Sequence, residues 1–225
     1  VSAPRGVVFD LDDTLYRERR FALSGYRAVA AHAAIRFGAD AGTVWRVLVC
    51  ALRHGDRATA FQRLCATMGW PPALADDLRL VYRGHVPSLR LPATTRRVLR
   101  ALRPAWRIGV LTNGPPGIQR RKVAALGLAP LVDAVVYAEE IVPGGKPARE
   151  AFEAAVDRLG VPPARCIVVG DDPERDIAGA RRAGLRAVRV AHAAGPGALP
   201  AGENGADVLT VRLEAVPRTI EEMVA

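Results

Sequence analysis

The chain has 225 residues, half of them apolar, and a formal net charge of +9. That length suits one large domain, or one domain with an inserted module. No run approaches the roughly 20 apolar residues of a membrane span. The three cysteines, Cys50, Cys65 and Cys166, are too scattered for a disulfide framework or a metal knuckle.

The cysteines read as buried thiols in a reducing cytoplasm. The first strand starts close to the first residue, so no signal peptide is expected.

Taken in chain order, Gly6 to Phe9 is a short apolar, β-branched run. It predicts a buried strand over Val7–Asp10. The strand ends in Asp10, Asp12 and Asp13, followed by the hydroxyl of Thr14. C-terminal strand ends are where open α/β sheets bind ligands. Crowded carboxylates are costly unless a cation or a proton shares their site. Asp10 and Asp12 are two residues apart, so a metal fits between one side chain and the other residue's backbone. A strand ending in a polar turn is the simpler alternative, and the later elements weigh against it.

Residues 16–90 have a different texture. They read as four helices, roughly 18–37, 43–53, 57–68 and 73–85, with no convincing strand among them. The segment holds 12 Arg, no Lys and 5 acidic residues, so it carries +7 of the total. Such a segment suits an anionic partner, whether nucleic acid, membrane surface or phosphorylated metabolite. A solvated Arg-rich helical surface explains the excess equally well. No aromatic interleaving or binding motif supports a nucleic-acid module, and no membrane partner is expected. A helical module placed directly after the carboxylates can act as a lid.

Beyond residue 90, strands and helices alternate. Strands are predicted at Arg107–Thr112, Ala134–Ala138, Cys166–Gly170 and Arg186–Val190, with a weaker one at Asp207–Leu209. Helices are predicted at Ala93–Arg103, Ile118–Leu126, Ala148–Leu159 and Glu174–Ala183. Ala191–Gly205 reads as a long surface loop. This alternation implies an α/β fold with a parallel sheet covered on both faces.

In such a sheet the C-terminal strand ends meet on one edge. That edge would gather Asp10 and Asp12, Thr112 and Asn113, Lys146, and the run Gly170-Asp171-Asp172-Pro173-Glu174-Arg175-Asp176. Each group suits phosphoryl transfer. Asp10 can act as nucleophile and form an aspartyl-phosphate. Asp12 can protonate the leaving oxygen and later take a proton from water. Asp10 and Asp171 offer oxygen ligands for Mg2+. Thr112 and Lys146 can hold phosphoryl oxygens. Thirty of the 32 basic residues are Arg, and the only lysines are Lys122 and Lys146. Keeping a compact ammonium at 146 adds weight to it. Lys122, in Gln119-Arg-Arg-Lys122, reads as part of a solvated helix face.

These four elements, in this order, resemble the haloacid dehalogenase superfamily. The resemblance covers nearly the whole chain and rests on Asp10-Leu-Asp12-Asp-Thr14, Thr112-Asn113, Lys146-Pro147 and Gly170-Asp171 with Asp176. It implies a Rossmann-like parallel-sheet core of residues 1–15 and 91–225. It further implies an inserted all-helical cap, of the C1 type, over residues 16–90. It makes Asp10 the nucleophile and Asp12 the acid/base, with Thr112 and Lys146 on the phosphoryl group. Mg2+ would be held by Asp10, Asp171 and the backbone carbonyl of Asp12, with Asp176 behind or on the metal. Asp172 falls at a variable position and suits a cap or supporting role rather than metal ligation.

Members that attack carbon lack the second aspartate, so Asp12 points to the phosphatase branch. Members that cleave phosphonates use a cap lysine, and residues 16–90 have none. A phosphomutase stays open. A non-catalytic interaction protein fits poorly with an intact set of reactive groups. The expected partner is a small phosphorylated metabolite with a further anionic or polar group. Asn113, Arg20, Arg53 and Arg57 are the candidates for contacting it. Nothing in the sequence sets an oligomeric state.

Overall fold

In the computed structural model, which describes residues 4–191 and 210–224, the chain opens with strand β1 (Arg5–Phe9), buried from Gly6 onward. Four helices follow: α1 (Arg19–Phe37), α2 (Ala41–Arg53), α3 (Ala60–Met68) and α4 (Leu74–Gly84). Next come α5 (Ala93–Leu102), β2 (Trp106–Thr112), α6 (Pro116–Leu126), β3 (Ala134–Tyr137) and the single turn α7 (Ala138–Ile141). Then follow α8 (Arg149–Leu159), β4 (Cys166–Gly170), α9 (Gly179–Arg182), β5 (Arg186–Val190), β6 (Thr210–Val211) and α10 (Val216–Val224).

The strands form one parallel sheet in the order β3-β2-β1-β4-β5-β6. Strand β1 lies between β2 and β4, with Phe9 opposite Val110 on one side and Val169 on the other. The order of succession reverses at β1 and β4, the kind of switch point that opens a crevice at the C-terminal strand ends. Side chains alternate as a pleated strand requires. Val8, Leu111, Val136 and Val168 share a core with Ala151, Phe152 and Ala155 of α8 and Ala180 of α9. The intervening Val7, Phe9, Ile108, Val110, Ile167 and Val169 are buried too, so both faces are covered. Each fully buried aliphatic side chain contributes roughly 1.5–3 kcal/mol to the stability of such a core.

Two compact units result, one from residues 1–17 with 90–225 and one from Glu18–Leu89. The second is all helical. Tyr26, Val29, Ala30 and Ala33 of α1 recur at helical spacing and pack with Val44 and Leu48 of α2, Phe61 and Leu64 of α3 and Leu78 of α4. Its helices stop and start by local chemistry. Gly38 and Gly69 adopt left-handed backbone at the ends of α1 and α3, and Asp40 caps α2 by accepting the Thr43 N–H at 2.7 Å.

Several details depart from the expected elements. The predicted helix at Glu174–Ala183 is a widened turn over Pro173–Ala178 followed by α9. The Ile177 N–H reaches back five residues to the Asp172 carbonyl, as in a π-type turn. The predicted helix at 57–68 begins as a 3-10 turn over Arg57–Thr59. Helix α10 was not among the expected elements, and Pro217 lies near its start, where its missing N–H costs nothing. The weak strand expected at Asp207–Leu209 lies outside the described residues, as does the expected loop beyond Ala191. Cys65 and Cys166 are buried, but Cys50 is exposed, contrary to the expectation for all three. Among the described residues no helix is long and apolar enough to cross a membrane.

Candidate active site

Strand ends place the reactive groups. Asp10 follows β1 directly, and its N–H still bonds the Val169 carbonyl of β4 at 2.8 Å. The chain then turns, with Asp13 at φ 57°, a left-handed conformation that aspartate tolerates better than most residues. Thr112 closes β2 and is fully buried. Lys146 lies in the loop between α7 and α8. Asp171 follows β4, and Asp176 returns to the same edge on the widened turn.

Asn113 fixes the Lys146 loop. Its Oδ1 accepts the Lys146 N–H at 2.9 Å, and its Nδ2 donates to the Lys146 carbonyl at 2.9 Å. Both ends of this amide are therefore engaged by backbone. Asp172 caps the widened turn by accepting the N–H groups of Glu174 at 2.9 Å and Arg175 at 2.8 Å. The Asp172 N–H in turn holds Asp176 Oδ2 at 3.1 Å.

Lys146 is buried and its ammonium is fully used. It donates to Asp10 Oδ1 at 2.6 Å, to Asp176 Oδ1 at 2.6 Å and to the Leu111 carbonyl at 3.1 Å. Burial opposes its charge, but Asp10 and Asp176 outweigh that and hold its pKa above the ordinary lysine value. Burial pushes the Asp10 carboxyl up to about 7; Lys146 pulls it down, and Asp176 and Asp12 add to the rise. Burial likewise raises Asp171 to about 6, with Asp176 and Asp13 contributing. Thr14 Oγ1 donates to Asp171 Oδ1 at 3.3 Å.

Asp10, Asp171 and Asp176 offer carboxylate oxygens that all lie within 4.8 Å of one another. One ammonium does not neutralise three carboxylates, and burial, with the neighbouring carboxylates adding to it, raises the pKa values of Asp10 and Asp171. A hard divalent cation such as Mg2+ takes this donor type, so the residues present fit one.

Gly170 is what lets Asp176 reach this edge. A Cβ on Gly170 would clash with Cβ, Cγ and Oδ2 of Asp176. Gly170→Ala is therefore expected to displace Asp176 and raise the Mg2+ concentration for half-maximal activity at least about tenfold. It should also cost about 1–3 kcal/mol by overpacking. Metal titration and thermal unfolding of the variant check both.

Asp12 has neighbours the sequence reading missed. Tyr16 Oη donates to Asp12 Oδ1 at 2.6 Å, and Gln119 Nε2 donates to Asp12 Oδ2 at 2.9 Å. Lys122 Nζ contacts both carboxylate oxygens, at 2.9 and 2.8 Å. Lys122 is 5% exposed, which corrects its reading as a solvated helix residue. Helix α6 turns Gln119, Lys122, Val123 and Leu126 inward together. Both lysines of the chain therefore end on carboxylates of this site.

The arginine candidates lie in the helical unit. Arg20 and Arg53 are exposed. Arg57 is tied to Glu18 by a two-pronged ion pair, at 2.5 and 2.9 Å. With Tyr26, Phe61, Arg79, Tyr82 and Arg83 it lines a cavity of about 360 Å³, which Arg20 and Arg53 do not line.

The parallel sheet thus gathers buried acidic groups, an ammonium and a hydroxyl at its C-terminal edge. The chain belongs to the haloacid dehalogenase-like hydrolases, whose family model matches residues 4–184. It is 31% identical over 198 residues to the glyceraldehyde 3-phosphate phosphatase of Methanothermobacter thermautotrophicus, covering 83% of this chain and 85% of that protein. It is 38% identical over 135 residues to the phosphoserine phosphatase of Thermus thermophilus, covering 60% of this chain and 54% of that protein. The fold matches that of the hydrolase YfnB of Bacillus subtilis, solved with magnesium bound, at a TM-score of 0.67 and 20% identity, over 97% of this chain and 99% of that one. By this kinship the chain stands among the family's phosphoric monoester hydrolases.

Proposed function

We propose that the chain is a Mg2+-dependent phosphatase acting on a small phosphorylated metabolite through an aspartyl-phosphate on Asp10. One observation carries the reading. A buried Asp10 presents a carboxylate between the Lys146 ammonium and the metal-competent pair Asp171 and Asp176, with a second aspartate two residues on.

Asp10 attacks phosphorus as the bond to the leaving oxygen breaks, and Asp12 gives that oxygen its proton. Water then attacks the same phosphorus as its bond to the Asp10 oxygen breaks, releasing inorganic phosphate and the free Asp10 carboxylate, and Asp12 takes the proton from water. Thr112 and Lys146 hold the phosphoryl oxygens as their charge shifts. Asp10, Asp171, Asp176 and the Asp12 carbonyl would hold Mg2+, which when bound supplies charge neutralisation at those oxygens. The relatives named for glyceraldehyde 3-phosphate and phosphoserine support a small anionic substrate. The helical unit, with Arg20, Arg53 and Arg57, is the proposed cap and source of specificity.

Assays with a panel of phosphorylated metabolites test this. EDTA should abolish phosphate release and Mg2+ should restore it. Isomerisation of a sugar phosphate without phosphate release would instead make the chain a mutase.

The acidity of the site adds a second expectation. Carboxyl pKa values of about 7 and about 6 lie above those of the unfolded chain. The metal-free folded state therefore holds more protons than the unfolded state between about pH 4 and 7. Its stability should fall as pH rises through that window. Protons and Mg2+ compete for the same oxygens, so the Mg2+ requirement should rise roughly tenfold from pH 7 to pH 6. Mg2+ titrations of activity at both pH values measure it; a flat requirement would contradict the assignment.

A further inference from the structure

Asp12 sits on a turn, and its carboxylate has to serve two proton transfers in different directions. A carboxylate on a short side chain does this well only if something holds it. Here three donors from two segments converge on it. Tyr16, four residues on, takes Oδ1 at 2.6 Å. Helix α6 supplies Gln119 to Oδ2 at 2.9 Å and Lys122 to both oxygens at 2.9 and 2.8 Å. Gln119 and Lys122 are three apart and share the inward face of the helix. The same Gln119 Nε2 also lies 3.0 Å from Thr112 Oγ1 and against the Asn113 carbonyl, so its two N–H bonds are shared among three acceptors and link the acid/base to the hydroxyl assigned to the phosphoryl group.

We propose that Lys122, with Gln119, is a positioning residue for Asp12, holding its carboxylate in the orientation that proton delivery to the leaving group requires. The inference rests on the reading of Asp12 as acid/base. Several facts support it beyond the distances. Lys122 is buried, and its side chain is 6% exposed where Asp12's is 23% exposed. A buried ammonium is held in place by its counter-charge, so the pair fixes both partners. The chain otherwise uses arginine almost everywhere, yet keeps lysine here. A compact ammonium can straddle both oxygens of one carboxylate while leaving room for Tyr16 and Gln119.

The test uses the full chain with Mg2+ and two probes, 2-glycerol phosphate with a poor leaving group and 4-nitrophenyl phosphate with a good one. Asp12→Asn comes first. It should lose far more kcat on glycerol phosphate than on nitrophenyl phosphate; equal losses would overturn the acid role itself. With that role in place, Lys122→Met should lower kcat on glycerol phosphate by roughly 30-fold and on nitrophenyl phosphate by no more than about 3-fold. KM should stay within about twofold on both probes. The double variant Asp12→Asn with Lys122→Met should be no slower than Asp12→Asn alone, since the lysine acts through the aspartate. Equal losses on the two probes, or losses that multiply in the double variant, would overturn the positioning role and leave Lys122 as a structural residue. Lys122→Gln, which keeps length and donors without charge, carries the same comparison if the Met variant does not fold.

Discussion

Asp10→Asn is expected to lower kcat by roughly four orders of magnitude or more, the scale seen when a covalent nucleophile is removed. The variant keeps the size of the side chain and can still accept a hydrogen bond from Lys146, which in the native site donates to Asp10 Oδ1 at 2.6 Å. What it loses is the oxygen proposed to form the bond to phosphorus. Acid quenching of wild-type enzyme with a 32P-labelled substrate should trap label on the protein, and the variant should trap none. The variant should also be at least as stable as wild type in EDTA at neutral pH. Burial works against a charged carboxylate at this position, and an amide carries no charge to bury. A variant that retained phosphoenzyme would move the nucleophile elsewhere.

Much of this site is legible in the sequence because parallel strands are buried on both faces. Such strands read as apolar runs, and the first polar residues after them mark the functional edge. Asp10, Thr112 and Asp171 all announce themselves that way. Lys146 was legible by a different signal, its rarity in an arginine-rich chain. The same signal applied equally to Lys122, but Arg120 and Arg121 disguised it as one of a charged run. Helical geometry separates them. Arg120 turns outward onto Glu140 and stacks at 4.5 Å from the Tyr137 ring, while Lys122 turns inward with Val123 and Leu126. The inward face is visible as Gln119, Lys122, Val123 and Leu126, a helical stripe with two polar members. Its partner, Asp12, lies 110 residues away and cannot be read from spacing. The widened turn before α9 was not legible either, since its form depends on Asp172 and Asp176 bonding across it.

Lys146→Met should change activity and stability together, because one ammonium serves both. In the metal-free site it is the counter-charge between Asp10 and Asp176, with all three partners within 3.1 Å. Its pKa stands above the ordinary lysine value, so its stabilising contribution is complete at neutral pH and is lost only as pH rises through that raised value. Removing it leaves buried carboxylates facing each other without the ammonium. Breaking a buried pair in this way costs about 3–5 kcal/mol, or roughly 10 °C in Tm for a chain of this size. The loss should be smaller at pH 5, where the carboxylates with raised pKa values take up protons instead. Mg2+ should recover part of the Tm, since a cation among the same oxygens replaces some of the missing charge. It should not recover turnover. The phosphoryl group would still lack the buried cation that meets its developing charge, and losing one such donor lowers kcat by about 10²–10³. Thermal unfolding in EDTA and in Mg2+, at pH 5 and pH 7.5, separates the two roles. A variant as stable as wild type in EDTA at pH 7.5 would mean that the ammonium is not what holds these carboxylates together, and the charge balance drawn for the site would be wrong.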